Sequence, residues 1–220
     1  RLQFGAMMKV TLGQAMDYAT RAALASGRAD AALGLLIESL MEMQGLSEIA
    51  ADVVSGAMFE AETPAEMSAT ALDRAFAAIE KGGAPKQGPF VYPDLIKLPA
   101  MLVDAIRVAE ATGGWKPQTA GIRGLRLNVG GQTRAEILRI EAGAATPRHT
   151  HKGQELTLCL VGGYSDGIGS YGPGDVSIAD PSITHQPRAD DDGVCFVLAV
   201  TDAGLKFGGV LGAIQKLVGG

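Results

Sequence analysis

Apolar residues in the first third of the chain recur at helical spacing. Leu12, Met16, Ala19, Ala23 and Leu24 fall on one face. Thr11, with Gln14 three residues on, forms a capping-box pair that predicts where this helix begins. A second helix is predicted from about Asp30 to Met43, stopping at Gly45, a residue suited to the C-terminal cap. Ser47 is placed to cap a third, running through Ile49, Val53 and Met58. Thr63-Pro64-Ala65-Glu66 combines a cap, a proline in the first turn and a glutamate at the box position. Met67, Leu72, Phe76 and Ile79 then give a fourth helix its apolar face. The pattern predicts a small helical bundle.

The periodicity changes after Lys81. Lys81 to Pro89 reads KGGAPKQGP, flexible glycines mixed with stiff prolines, which is linker chemistry. Beyond it come short apolar runs punctuated by Gly, Pro and Asp: Leu125–Val129, Ala135–Ile140, Leu156–Val161, Val176–Ile178 and Val194–Val200. Each is predicted as a strand, with Gly130-Gly131 turning between the first two. Many short strands with tight turns imply a sandwich or barrel. Leu205 to Val218 is predicted to return to helix. The expected layout is α+β: a helical domain over residues 1–84, a linker over 85–89 and a β-rich domain over 90–220.

Composition sharpens this division. The chain has 220 residues, 47% hydrophobic and 20% charged, enough apolar surface for a core and too little charge for a disordered tail. Its net charge of −5 argues against direct nucleic-acid binding. That excess lies in residues 1–84, which carry 6 basic and 11 acidic residues, whereas residues 85–220 carry 13 of each. No apolar run reaches the length of a membrane span. The stretch before Met7 lacks a signal-peptide core, and Arg1–Ala6 is read as a remnant ahead of a start at Met7 or Met8. Cys159 and Cys195 imply no disulfide framework and suit a reducing, cytoplasmic setting.

All three histidines fall in the second part. His149 and His151 are two apart, so on a strand they face the same side. Glu155 follows four residues later, past a turn at Lys152-Gly153, and His185 lies thirty residues beyond it. Three imidazoles and a carboxylate form a nitrogen and oxygen set suited to Zn(II), Fe(II), Mn(II) or Ni(II).

The stretch from Gly143 through His149, His151 and Glu155 to Gly162 resembles the first motif of the cupin family, which implies a jelly-roll β-barrel. Gly174, Pro181 and His185 resemble the second motif. The spacing to Pro181 is one residue longer here, and the later asparagine is absent. By that resemblance His149, His151, Glu155 and His185 are the ligands of one divalent metal, zinc first, with iron, manganese or nickel as alternatives.

A narrower resemblance is to the ChrR-type anti-sigma factors, a helical anti-sigma domain followed by a ChrR-like cupin. It rests on Trp115, Ala135 to Gly143, Glu155-Leu-Thr-Leu158, Tyr171 to Asp180, His185-Gln-Pro187 and Ala199 to Phe207. The resemblance implies a partner, an extracytoplasmic-function sigma factor held by the helices, and a cupin that serves the release response. It also implies a second zinc in the helical domain, bound by an early His and a His-x3-Cys-x2-Cys helix. Here Thr11, Leu36, Leu40 and Met43 stand at the nearest equivalents, and residues 1–84 contain no His or Cys. Zinc is therefore not expected there, and apolar packing along one helix face is expected to fill the space.

The remaining signals have structural readings. Cys159 and Cys195 are expected as buried thiols, with oxidant sensing as the alternative. Tyr164 and Tyr171 are expected to pack or to line the cavity, Trp115 to anchor the core or a rim, and Asp190-Asp191-Asp192 to form a solvated turn. The leading functional expectation is a cytoplasmic anti-sigma factor, a negative regulator of transcription with a metal-binding cupin. The alternative is a mononuclear metal-dependent cupin enzyme (dioxygenase, lyase or isomerase), with helices serving assembly as a homodimer. No membrane association is expected.

Overall fold

Alternation along the central strands places apolar side chains on both faces of one sheet, and both faces are covered. A computed structural model describes residues 8–26, 30–46, 68, 70–81, 91–202 and 205–207. The chain opens with β1 (Met8–Val10), α1 (Leu12–Ser26), α2 (Ala31–Met43) and α3 (Ala71–Lys81). A short 3-10 turn (Pro93–Lys97) and α4 (Ala100–Thr112) lead into β2 (Lys116–Thr119), β3 (Ile122–Leu127) and β4 (Arg134–Ile140). Then follow β5 (His149–His151), β6 (Glu155–Val161), β7 (Tyr164–Ser165), β8 (Ser170–Tyr171) and β9 (Val176–Ala179). The last strands are β10 (Thr184–His185), β11 (Arg188–Ala189), β12 (Cys195–Thr201) and β13 (Leu205–Phe207).

Seven strands form the main antiparallel sheet in the order β1-β9-β6-β12-β4-β3-β2. Two three-stranded sheets, β10-β5-β13 and β11-β7-β8, supply the second wall of the jelly roll. The outer face of the main sheet carries Leu125, Leu127, Ala135, Ile137, Leu156, Leu158 and Phe196, in one apolar cluster with the helices. Leu33, Leu36, Leu40 and Met41 of α2 and Leu102, Ile106 and Ala109 of α4 belong to that same cluster. The inner face carries Ile122, Ile140, Cys159, Cys195 and Val197, packed with Tyr164 and Tyr171.

Most helix and strand signals read from the sequence are found. The Thr11 backbone N–H donates to Gln14 Oε1 at 2.9 Å, and the Gln14 N–H donates back to Thr11 Oγ1 at 3.3 Å. Asp30 caps α2 through the N–H groups of Ala32 and Leu33, and Gly45 beyond its end has φ 71°. Leu36 and Leu40 are buried, in the cluster against which Leu12, Met16 and Met43 pack. Among the differences from expectation, three change the layout. The 90–220 segment contains α4, whose face Leu102, Ile106 and Ala109 has helical spacing that the surrounding strand signals obscured. The chain starts with a strand, β1, paired to β9. Leu205–Phe207 is a strand beside β5 rather than the start of a helix. The third helix, the start of the fourth, the 85–89 linker and residues 208–220 lie outside the described residues.

One side chain ties helix to sheet. The second carboxylate oxygen of Asp30 accepts from the backbone N–H of Gln132 at 2.7 Å and of Thr133 at 3.0 Å, and the Thr133 hydroxyl donates to the first. These donors belong to the β3–β4 hairpin, where Gly131 has φ 91° and no Cβ to displace the carboxylate. Burial raises the Asp30 pKa, and the hydrogen bonds from Thr133, Gln132 and Leu33 outweigh it, holding the carboxyl below its ordinary 3.8. A carboxyl whose folded pKa is depressed gives stability that is present above its unfolded pKa and lost as pH falls through the folded value. Asp30→Ala is expected to lower unfolding stability by about 2–3 kcal/mol near neutral pH. The deficit relative to wild type should shrink on acidification below that ordinary value. Chemical denaturation of both proteins across acidic and neutral pH measures it.

Candidate metal centre

The histidines meet because β5 and β10 are neighbours in the small sheet, with His149 directly opposite His185 in register. His151, two residues along β5, turns to the same side. All three are buried, and a ligand nitrogen from each lies within 4.8 Å of the others. His185 Nε2 stands 2.9 Å from His151 Nε2 and 3.1 Å from His149 Nε2. Nitrogens 2.0–2.1 Å from a divalent ion stand about 2.8–3.4 Å apart in octahedral or tetrahedral geometry. The donor set therefore fits such an ion.

The outer nitrogens are oriented by the protein. His149 Nδ1 donates to the Pro147 carbonyl at 2.8 Å, which leaves the lone pair on Nε2, facing the other rings. His185 Nδ1 faces Asp166 Oδ2 at 3.6 Å, and His151 Nδ1 faces Glu155 Oε2 at 3.8 Å. Both distances are longer than a hydrogen bond; a carboxylate on that side orients a metal-bound imidazole and raises its basicity when it closes to bonding distance. Burial and then the neighbouring imidazoles push His151 down to about 3, and the same causes take His185 to about 4. Burial also lowers His149. All three rings are thus neutral at physiological pH and offer lone pairs.

Glu155 begins β6 and lines the same cavity as His149 and His185. Its carboxylate lies on the Nδ1 side of His151, outside the converging Nε2 atoms, and accepts from the Thr157 hydroxyl at 3.1 Å. Burial pushes this carboxyl up to about 7. The deeper cavity wall is Leu138, Ile140, Val197 and Tyr164, whose hydroxyl is hydrogen-bonded to Ser177 at 2.9 Å. Tyr171 stacks on Tyr164 with centroids 4.7 Å apart. Trp115 donates to Glu110 Oε1 at 2.8 Å and packs edge-on against Tyr92, buried in the core on the helix side of the sheet. Both cysteines are buried on the inner face.

Asp166 was not singled out from the sequence. Its Oδ1 accepts from the N–H groups of Ile168 and Gly169 at 2.9 and 2.8 Å, closing a turn that leaves Oδ2 aimed at His185. The sequence signal was only Tyr-Ser-Asp-Gly, readable as a turn. The register that brings it to His185 is tertiary.

Jelly-roll strands with two inward histidines on one strand and a third on its neighbour define a cupin. A family model described as the ChrR cupin-like domain matches residues 103–203. The anti-sigma-E factor ChrR of Cereibacter sphaeroides is 34% identical over 162 residues, covering 74% of this chain and 75% of that protein. The crystal structure of Rhodobacter sphaeroides SigE in complex with the anti-sigma ChrR matches with a TM-score of 0.57 and 28% identity. That match covers 90% of this chain and 99% of the other. The chain belongs to the ChrR family.

The buried neutral histidines carry a cost at low pH. Imidazoles with depressed folded pKa values give stability that is whole above the ordinary 6.5 and is lost as pH falls through the folded values. The metal-stripped protein is expected to lose thermal stability steadily as pH drops from about 6.5 toward about 4. Substituting Gln at His151 and His185 together should flatten that slope in thermal-melt series.

Proposed function

We infer that this chain is an anti-sigma factor: it holds an extracytoplasmic-function sigma factor inactive, and its cupin serves the release. The observation that carries this is similarity to ChrR in both parts. The matched structure is the anti-sigma protein in a sigma complex, and the alignment spans 90% of the present chain. Among the described residues no helix is long and apolar enough to cross a membrane. A cytoplasmic site of action is part of this proposal.

The sigma-facing part is proposed to be residues 1–84, which carry the whole acidic excess. Acidic surface favours capture of a basic, DNA-binding partner. On α3, Leu72 and Phe76 are 60% and 57% exposed, an apolar strip one turn apart on a helix that also bears Asp73. Strips of this kind are the usual anchors of helix-mediated recognition. Leu36, Leu40 and Met43 occupy the helix face where the family resemblance implies metal ligands, so apolar packing is proposed to brace this part.

For the cupin we propose one divalent metal, zinc, held by His149, His151 and His185, with Glu155 as the fourth ligand once its carboxylate turns from the Nδ1 side of His151 toward the Nε2 atoms. Such an ion would supply a Lewis-acid centre with positions open to a signal molecule. Asp166 is proposed to orient His185, and the Pro147 carbonyl to orient His149.

Two measurements test this. Elemental analysis of the purified full chain is expected to find one zinc per chain. The double substitution His149→Ala/His185→Ala should bring it to none. Asp166→Ala should weaken zinc affinity by about 10–100-fold without abolishing it. Two equivalents per chain in the wild type would overturn the assignment. In pull-downs, the full chain should retain its sigma factor in the presence of a chelator strong enough to strip the cupin. Leu40→Ala, expected to cost about 2–5 kcal/mol of stability at a buried site, should weaken retention. Failure of the wild type to retain any sigma factor encoded beside it would sink the regulatory reading.

A further inference from the structure

Above the histidines the inner face of the main sheet turns from apolar to charged, row by row. Strand register places Ile122 opposite Ile140, and one row outward Gly124 opposite Leu138. The next row runs Arg126, Glu136, Ala199 and Thr157 across β3, β4, β12 and β6. The outermost runs Arg134, Thr201 and Glu155. Neighbouring strands are about 4.8 Å apart, so both guanidinium stems rise from the same wall that reaches Glu155. The two outer rows, Thr157 excepted, line a recess of about 380 Å³ that Ile122, Leu138 and His149 also border. The volume is within the range of small-molecule sites.

The polar wall has a defined arrangement. The Gln118 side-chain amide donates to Glu136 Oε1 at 2.8 Å, directly over Gly124, where a Cβ would collide with both groups. Glu136 is thereby held in place, with Arg126 and Arg134 as its charged neighbours. Among the described residues neither arginine makes a hydrogen bond or ion pair, and Arg134 lies close enough to Arg126 to repel its charge. Glu155 balances the wall as a whole, but Glu136 is the carboxylate beside both guanidiniums, so this corner of the wall carries one positive charge in excess. Glu155, the other carboxylate on the wall, lies two strands across from Arg134, beside His151. The rest of the lining is apolar at Ile122, Leu138, Pro147 and Ala199, with the side chains of Thr119, Thr146 and Thr201 between them.

We propose that this recess binds a small organic acid with a short apolar tail. Its carboxylate sits between Arg126 and Arg134, and its tail lies over Ile122 and Leu138 toward the histidines. A guanidinium fork matches a carboxylate in shape and pairs with it through charge-assisted hydrogen bonds. One uncompensated positive charge suits a monoanion better than a phosphate dianion. The site does not depend on the sigma-binding reading, because every group it uses belongs to the cupin. A negative result in the assay below therefore leaves that reading intact.

The test is calorimetric titration of the metal-loaded full chain with hexanoate, with 1-hexanol as the uncharged match, while metal content is followed in parallel. Hexanoate is expected to bind at millimolar concentrations or below, and hexanol at least about tenfold more weakly. Arg126→Gln/Arg134→Gln should lose about tenfold or more in hexanoate affinity with metal content unchanged. Thr119→Glu keeps both arginines and sets a like charge in the recess, so it should weaken binding too. It covers the case in which the double variant does not fold. Equal affinity for hexanoate in wild type and the variants places the carboxylate on the metal alone and overturns the proposal. Equal binding of hexanol, or no binding of hexanoate, overturns it as well.

Discussion

The main sheet has to be buried on both sides, and most of the architecture follows from that. Its outer face needs a cover, which α2 and α4 provide through Leu33, Leu36, Leu40, Leu102 and Ile106. Its inner face needs a second wall, which the two small sheets provide, and one of those sheets carries the histidines. A strand covered on both faces reads as a continuous apolar run, as in Leu156-Thr-Leu-Cys-Leu-Val161. The same sheet thus links the helices to the metal-site wall. Val197 looks toward the cavity while Phe196 and Leu198 beside it look toward the helices. A displacement of β12 has to be felt on both sides.

Electrostatics separates the two ends of the barrel interior. Around the histidines, burial keeps three bases neutral within hydrogen-bond range of one another, an arrangement that an apolar core would not tolerate without something for the lone pairs to bind. Toward the rim, charges of both signs stand on the same strands. The first zone offers a donor set that fits a cation, and the second faces solvent with two guanidiniums that, among the described residues, make no hydrogen bond or ion pair.

Much of this was legible in the chain. The His149-x-His151 spacing and Gly143 and Gly162 around it were local, and so were the caps at Thr11 and Asp30. What escaped was tertiary. Asp30 was readable as a helix start, while its second role depends on a hairpin a hundred residues away. Asp166 looked like a turn residue because nothing local reveals that its free oxygen meets His185. Glu155 was read from its spacing, whereas the orientation of its carboxylate relative to His151 depends on packing around Thr157. α4 was hidden because strands with strong apolar runs follow it closely, and Leu205–Phe207 became a strand because β5 had an open side.

β1 has a further consequence for how the molecule behaves in solution. Exposed strand edges invite other chains to add to a sheet. Here one side of the main sheet ends in β1, three residues long, with Lys9 paired to Asp175 at 2.6 Å. The other ends in β2, four residues with Lys116 and Pro117 among them. Both borders are therefore short and guarded by a lysine, and one also by an imino acid that cannot donate to a ladder. A polypeptide trimmed back to residue 12 would lose the first of these guards. It would uncover β9, Val176-Ser-Ile-Ala179, as a raw apolar border, and self-aggregation rather than simple instability would be the cost.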